Sequence, residues 1–190
     1  MKGQMKGILK RRPLALAAIA GVLLAGPALA QAHSYNYLEG GYLNRDQPGD
    51  EDGFRAAGMF DIASPIAIFG EYADVDYFSQ ASLGALYHTN LQRGLDLNFG
   101  ASIEHIDVGD YDDTGFGLRA GLRWILPNTK LELNPELRYV NVDDEDATSM
   151  HVGAVFPLAQ AWDLAGAVQF GDDDRFELGV RYNFGPRRLP

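Results

Sequence analysis

The chain has 190 residues, no cysteine and a formal net charge of −10 at pH 7. This length predicts one folded domain, and the missing cysteines exclude disulfide bonds. The acid excess argues against a nucleic-acid partner, because binding to phosphate requires a basic surface.

The first 30 residues have the pattern of a secretory signal peptide. Five Lys and Arg residues in the first twelve positions precede an apolar run over 14–24, and small residues follow. This run is shorter than the about 20 residues that a membrane anchor needs, so export with cleavage before Gln31 or His33 is predicted. All 26 acids but only 11 of the 16 Lys and Arg residues follow residue 30, so the exported domain, 31–190, carries a net charge of −15.

Alternating apolar and polar residues recur along the exported domain and predict ten β-strands. Gly, Pro and Asn/Asp clusters separate the strands, as hairpin connections should. The predicted strands cover 34–44, 53–63, 66–74, 80–88, 95–106, 114–125, 130–140, 149–156, 162–170 and 175–184. Eight strands are the alternative, because the third and fourth are weak and are joined by the short segment DVDYF.

Two kinds of connection alternate along the chain. Four are nearly uncharged (IASPI, HTNLQRGL, ILPNTK and FPLAQAW), whereas five (NRDQPGDED, DVDYF, DVGDYDD, NVDDEDATS and GDDDR) contain 17 of the 26 acids. If consecutive strands are antiparallel neighbours, one end of the fold is acidic and the other, the quiet end, also holds both termini. This asymmetry is typical of an outer-membrane β-barrel with short periplasmic turns and longer external loops.

The strand faces separate into one with bulky apolar residues and one with charged and small residues, as in FELGVRYNF over 176–184. A soluble sandwich would bury the apolar face, whereas a membrane barrel would turn it towards lipid. Fifteen of the 21 aromatic residues fall on the apolar faces, mainly near strand ends. Two interfacial girdles, and hence an all-β, up-and-down transmembrane barrel, are therefore predicted. The girdle residues are Phe54, Phe60, Tyr87, Phe116, Trp124, Tyr139, Phe156, Trp162, Phe170, Phe176, Tyr182 and Phe184.

The other face of each strand predicts the lining of the lumen. It contains nine acids, five arginines and two histidines: Glu39, Arg55, Asp61, Glu71, His88, Asp96, Glu104, Arg119, Arg123, Glu132, Glu136, Arg138, His151, Asp163, Glu177 and Arg181. In a narrow barrel these side chains would nearly fill the lumen, and Arg–carboxylate pairs would hold its shape. An ion-pair plug is predicted, with a narrow cation-preferring channel as the alternative because acids are in excess.

The segment SYNYLEGGYL, Ser34 to Leu43, together with the final FELGVRYNF, resembles small outer-membrane β-barrel proteins of the OmpA/OmpX-like superfamily. It is most similar to a subfamily with a disputed description as a secreted quorum-sensing or immune-eliciting factor. The resemblance implies a barrel in the bacterial outer membrane, in contact with membrane lipid and lipopolysaccharide, and no agreed chemistry. The aromatic residue that closes the last strand, Phe184, is the usual signal to the barrel-insertion machinery, although six residues follow it here.

The acidic connections suggest Ca²⁺ or Mg²⁺, which prefer carboxylate oxygens and could bridge to lipopolysaccharide phosphates. None of them has the spacing of an EF-hand loop, and neither a metal site nor a cofactor is predicted. His105 and His151, with Asp107, Asp143 and Ser149 nearby, could form an acid–base set. Abundant Asp makes such coincidences common, so a non-enzymatic protein is predicted. A soluble periplasmic β-barrel or sandwich that binds a ligand is the rival from another class.

Overall fold

Ten strands follow one another in chain order, and each pairs antiparallel with the next in a closed barrel. The structure, a computed structural model, describes residues 33–46, 50–143 and 145–184. The predicted signal peptide and the six residues after Phe184 lie outside these ranges. Within the described ranges no helix is long and apolar enough to cross a membrane.

The strands have the following bounds: β1 Tyr37–Asp46, β2 Asp50–Ala63, β3 Ile66–Val75, β4 Phe78–Gln92, β5 Leu95–Val108, β6 Tyr111–Ile125, β7 Glu132–Val142, β8 Glu145–Pro157, β9 Trp162–Gly171 and β10 Arg175–Asn183. The predicted fold class and the count of ten strands are confirmed.

Pairing between the first and last strands closes the barrel. The register runs from Tyr37↔Asn183 to Arg45↔Arg175, so β1 lies between β10 and β2. Closure leaves no unpaired sheet edge. The two-sheet sandwich is therefore wrong, since all ten strands belong to one closed sheet.

The connections at the acidic end are shorter than expected, and the expectation of longer external loops is wrong. Each contains two or three residues, whereas the quiet connection between β6 and β7 contains six. Ten of the 17 acids assigned to these connections lie on strands instead. The strand pairing continues through these acids, as in Asp74↔Ser79 and Asp107↔Asp112. It does so because the hydrogen bonds between strands join main-chain groups and do not depend on the side chain.

Large apolar side chains are exposed over the outer face of the barrel. Leu83, Ile103 and Leu137 are 67, 63 and 53% exposed, and many others are about half exposed. Soluble monomers rarely expose apolar patches larger than a few hundred Å². An outer surface of this kind is stable only against an apolar medium.

Buried apolar side chains of the described residues form two small clusters inside the barrel. The one towards the quiet end contains Tyr35, Ala67, Phe69 and Leu86, with Met59 against it. The one towards the acidic end contains Leu43, Ala73, Val75 and Phe78, with Ile106 against it. Charged side chains occupy the space between them, so the middle of the lumen is polar.

Candidate functional site: the charged lumen

A chain of alternating arginines and glutamates crosses the middle of the lumen. Arg55 on β2 donates to Glu39 on β1 at 2.7 Å and to Glu71 on β3 at 2.8 Å. Glu39 also accepts from Arg181 on β10, with Nε–Oε2 at 2.8 Å. These residues come from four adjacent strands because each strand turns every second side chain inward.

Glu71 links this chain to the opposite wall. Its second oxygen, Oε1, lies 3.3 Å from Nη1 of Arg138 on β7. Arg138 also donates to Glu136 at 2.7 Å, and Glu136 lies 3.9 Å from Arg119 on β6. Buried pairs of this kind are costly to break, because removing one partner leaves an uncompensated charge. The bridge therefore ties β3 to β7 across the lumen.

Glu104 on β5 lies in a pocket with three neutral donors, and Arg119 Nη2 lies 3.9 Å from its Oε1. It accepts from Ser102 at 2.5 Å, from Gln80 at 3.0 Å and from Ser82, and it is 1% exposed. Gly117 on β6 makes room for it, because an added Cβ there would lie 2.5 Å from Glu104 Oε1.

The remaining predicted lumen residues lie on the inner face towards the quiet end or on β10. Arg123 donates to Glu132 at 2.7 Å, and His88 lies 3.0 Å from Asp61. The others have the following contacts: Asp96 accepts from Tyr35 and Asn90, Asp163 accepts from Asn183, and Glu177 lies 3.5 Å from Arg55 and 3.7 Å from His151. The structure thus places the whole predicted set inside the barrel.

A second charged group at the acidic end was missed from the sequence. Asp173 accepts from Arg45 at 2.8 Å and from Arg175, and both guanidinium groups lie over the Phe78 ring, at 3.8 and 5.4 Å from its centroid. Burial alone would raise the pKa of Asp173, but Arg175 and Arg45 outweigh burial and hold that pKa below its usual range. Arg175 lies within the predicted last strand on the same face as Glu177, and Arg45 lies one residue beyond the predicted end of the first strand, so the inward alternation could have found both.

Arg175 connects this group to the Glu104 pocket. Its Nη2 donates to Gln80 Oε1 at 2.7 Å, while Gln80 Nε2 donates to Glu104. With Arg45, Arg175 and Asp173 included, the inward set contains ten acids and seven arginines. Glu51, Asp113 and Glu145 also lie at inward positions of β2, β6 and β8 near the acidic end, so the acid excess of the lumen is not reduced.

The lumen contains a cavity of about 100 Å³ towards the quiet end and another of about 20 Å³ towards the acidic end. Glu71, Arg119 and Arg138 line both of them and so lie between them. Asn98 Oδ1 and Glu177 Oε1, which line the larger cavity, are buried and find no hydrogen-bond donor among the described residues. A cavity of this size holds several waters, which would satisfy such groups.

The predicted girdle residues lie on the outer face. Eleven are between 37 and 50% exposed, and Tyr139 is partly exposed beside Phe116, at 6.0 Å between ring centroids. At the quiet end Trp162, Tyr182 and Phe184 form a continuous aromatic row, with centroids 4.9 and 5.0 Å apart. Phe176 and Phe184 are separated by about 27 Å along the strand, or about 20 Å once the strand tilt is included.

The histidines considered for acid–base chemistry lie on opposite faces of the wall. His105 is exposed and contacts Thr114 at 3.1 Å, whereas His151 is buried in the lumen beside Glu177. Asp143 accepts from Tyr111 at 2.7 Å instead of pairing with either. Across 33–46, 50–143 and 145–184 no cluster of His, Asp and Glu has a geometry that could hold a metal ion.

No protein-family model and no curated protein matches the sequence, so the proposed subfamily stays a prediction. Solved structures of outer-membrane barrels are similar to the chain. The KdgM porin has 16% identity and a TM-score of 0.49, over 78% of this chain and 99% of the porin. Neisserial surface protein A has 18% identity and a TM-score of 0.40, over 80 and 98%. Outer membrane phospholipase A from Escherichia coli has 12% identity and a TM-score of 0.44, over 80 and 94%.

Proposed function

We propose that the chain is a bacterial outer-membrane β-barrel, exported by its N-terminal signal, with a structural or cell-surface role and no catalytic activity. The observation that carries the proposal is the orientation of the strand faces, with apolar side chains outside and charged side chains inside. Bulky apolar residues cover the outer face, and an Arg–Glu network crosses the middle of the lumen. The aromatic rows support a position across a bilayer, where aromatic side chains favour the interfaces.

The lumen is proposed to be a plug rather than a pore. The Glu71–Arg138 bridge joins opposite walls, and the cavities on its two sides are separated by it. The network's role is then to hold the barrel shape, as paired arginines and carboxylates do elsewhere.

The surface partners are proposed to be membrane lipid and lipopolysaccharide, with the barrel-insertion machinery acting during assembly. Acids at the acidic end contact tyrosines of this chain through one oxygen, as in Tyr72 to Asp74 at 2.8 Å and Tyr111 to Asp143 at 2.7 Å. Their remaining carboxylate oxygens would reach lipopolysaccharide phosphates through divalent cations, since such ions prefer oxygen ligands.

The runner-up is a narrow, cation-preferring channel. It is favoured by the cavity of about 100 Å³ and by the acid excess of the lumen. In a channel the Glu71–Arg138 bridge would have to open during conduction.

Two measurements test the proposal together. The native protein should be found in the outer-membrane fraction, and its gel mobility should change on boiling, because a folded barrel resists detergent. In planar bilayers the pure protein should give no conductance steps. Regular cation-selective steps would replace the plug by the channel, and recovery in the soluble periplasm would overturn the membrane assignment.

A further inference from the structure

The segment before the first strand folds into the quiet mouth of the barrel. β1 begins at Tyr37 rather than at residue 34 as predicted, and His33 and Tyr35 are 6 and 1% exposed. Tyr35 is among the largest fully buried side chains in the described part of the chain.

Tyr35 contacts side chains from four strands that surround the mouth. Its ring stacks on His88 of β4 at 3.7 Å between centroids, with an interplanar angle of 11°. Its hydroxyl donates to Asp96 of β5 at 3.1 Å, and the Arg123 guanidinium of β6 lies 4.6 Å from the ring centroid. Phe69 of β3 lies in the same apolar cluster. A single side chain therefore covers the interior side of four strands.

The neighbouring residues hold the segment across the mouth. Arg123 Nη1 donates to the Ser34 carbonyl at 2.7 Å, and His33 Nδ1 lies 3.1 Å from Glu132 Oε2. Asn36 accepts from the Phe184 amide at 2.9 Å through its carbonyl and from the Asp61 amide at 3.1 Å through Oδ1. Residues 33–36 precede the first strand, so they can leave the mouth without opening a strand pair.

We propose that residues 33–36 are a lid over the quiet mouth and the larger cavity, and that small cations pass this acidic mouth more readily than anions when the lid opens. Tyr35 itself lines that cavity, with Arg123 and Leu86. The charged groups that face the mouth are Asp61, Asp96, Glu132, Asp163, Arg123 and Arg181, with His33 and His88 beside them. Four acids and two arginines face the mouth, and such an excess attracts cations to it, whereas five arginines and four glutamates line the cavity beneath.

Thiol accessibility tests the lid, because the natural chain has no cysteine to react in the background. Ala165→Cys places one thiol at a buried position that lines the cavity. In the folded, detergent-purified barrel, a cationic methanethiosulfonate should modify this thiol slowly. Adding Tyr35→Ala should speed the modification about tenfold or more, because local opening sets the rate.

Matched variants distinguish opening of the lid from a general loss of barrel stability. Tyr87→Ala removes the same residue type from the outer face of β4, next to His88, and should leave the rate unchanged. Tyr35→Phe keeps the stacked ring and loses only the bond to Asp96, so it should lie between the parent and Tyr35→Ala. His33→Ala removes an anchor outside all strands and should also raise the rate.

The gel-mobility shift on boiling must be kept by every variant compared. An unchanged rate in folded Tyr35→Ala would overturn the lid, and if that variant does not fold, an unchanged rate in His33→Ala would do so. An anionic reagent of the same size should react more slowly than the cationic one, and the reverse order would contradict cation entry. The assay uses micelles, so its failure is distinct from a failure of the membrane assignment.

Discussion

Glu177 and Leu178 are neighbours on β10, yet Leu178 is 50% exposed on the outer face whereas Glu177 is 7% exposed in the lumen. Leu178 needs only an apolar medium around it. Glu177 depends on particular partners, Arg55 at 3.5 Å and His151 at 3.7 Å. The outer face is therefore specified by residue class and the inner face by individual contacts. Substitutions on the two faces should differ accordingly.

The largest effect is expected when the bridge across the lumen is removed. Glu71→Leu leaves Arg55 and Arg138 short of a carboxylate and should lower the free energy of unfolding by about 3–5 kcal/mol. Urea unfolding in lipid vesicles, followed by tryptophan fluorescence, measures it. Tyr72→Leu, on the outer face of the same strand, should change stability by less than about 0.5 kcal/mol.

Adding Arg138→Met to Glu71→Leu tests the cause of that loss. Replacing both members of a buried pair is often close to neutral, so the double variant should recover part of the stability. Loss of the same size in Glu71→Leu and Tyr72→Leu would mean that the lumen charges are solvated rather than paired.

A charge placed on the outer face should lower the stability nearly as much, but only near the middle of the bilayer. Leu178→Arg lies near the middle of β10 and should destabilise the inserted barrel by about 2–4 kcal/mol. Phe176→Arg is the matched control on the same face, near the acidic end, where the cost should fall to about 0–1 kcal/mol. Equal losses at both positions would argue that no bilayer surrounds the strand.

Adding one methyl group should also change stability differently on the two faces, by a smaller amount. Gly117→Ala points into the Glu104 pocket and should cost about 1–3 kcal/mol, because its Cβ would lie 2.6 Å from Ser102 Oγ. Gly166→Ala is the control, since its Cβ would meet nothing closer than 3.4 Å. It should be neutral or slightly stabilising. Similar thermal midpoints of the gel-mobility shift for both variants would contradict the tight inner packing.

The smallest effect is expected at the acidic end, where the inner face meets water. The pKa of Asp173 is lower in the folded state, so its contribution is present above the unfolded pKa and is lost as the pH falls through the folded pKa. Asp173→Asn keeps an amide oxygen that still accepts from the arginines, so it should cost only about 1 kcal/mol at pH 7, and its difference from the wild type should shrink below about pH 4. Asp112→Asn, exposed at the same end, is the control, and its free energy of unfolding at pH 7 should match that of the wild type.

Alternation in the sequence predicts the inner and outer faces because a strand turns successive side chains to opposite sides. Arg55, Glu71 and Arg138 were assigned to the lumen in this way. Strand ends were not predictable, because Asp is rare in strands yet the ladder runs on through Asp107 and Asp112. The lid was missed for another reason. Tyr35 meets Asp96, 61 residues away in sequence, and no local pattern reports such a contact.

The central claim is that lipid surrounds the outer face, and the two tryptophans test it directly in the unaltered protein. Trp124 and Trp162 are the only tryptophans of the chain, and both are exposed on the outer face near the quiet end, at 39 and 48%. In vesicles with brominated lipids their fluorescence should be quenched, more strongly by bromine near the headgroups than by bromine at the bilayer centre. Fluorescence that no brominated lipid quenches would contradict the account.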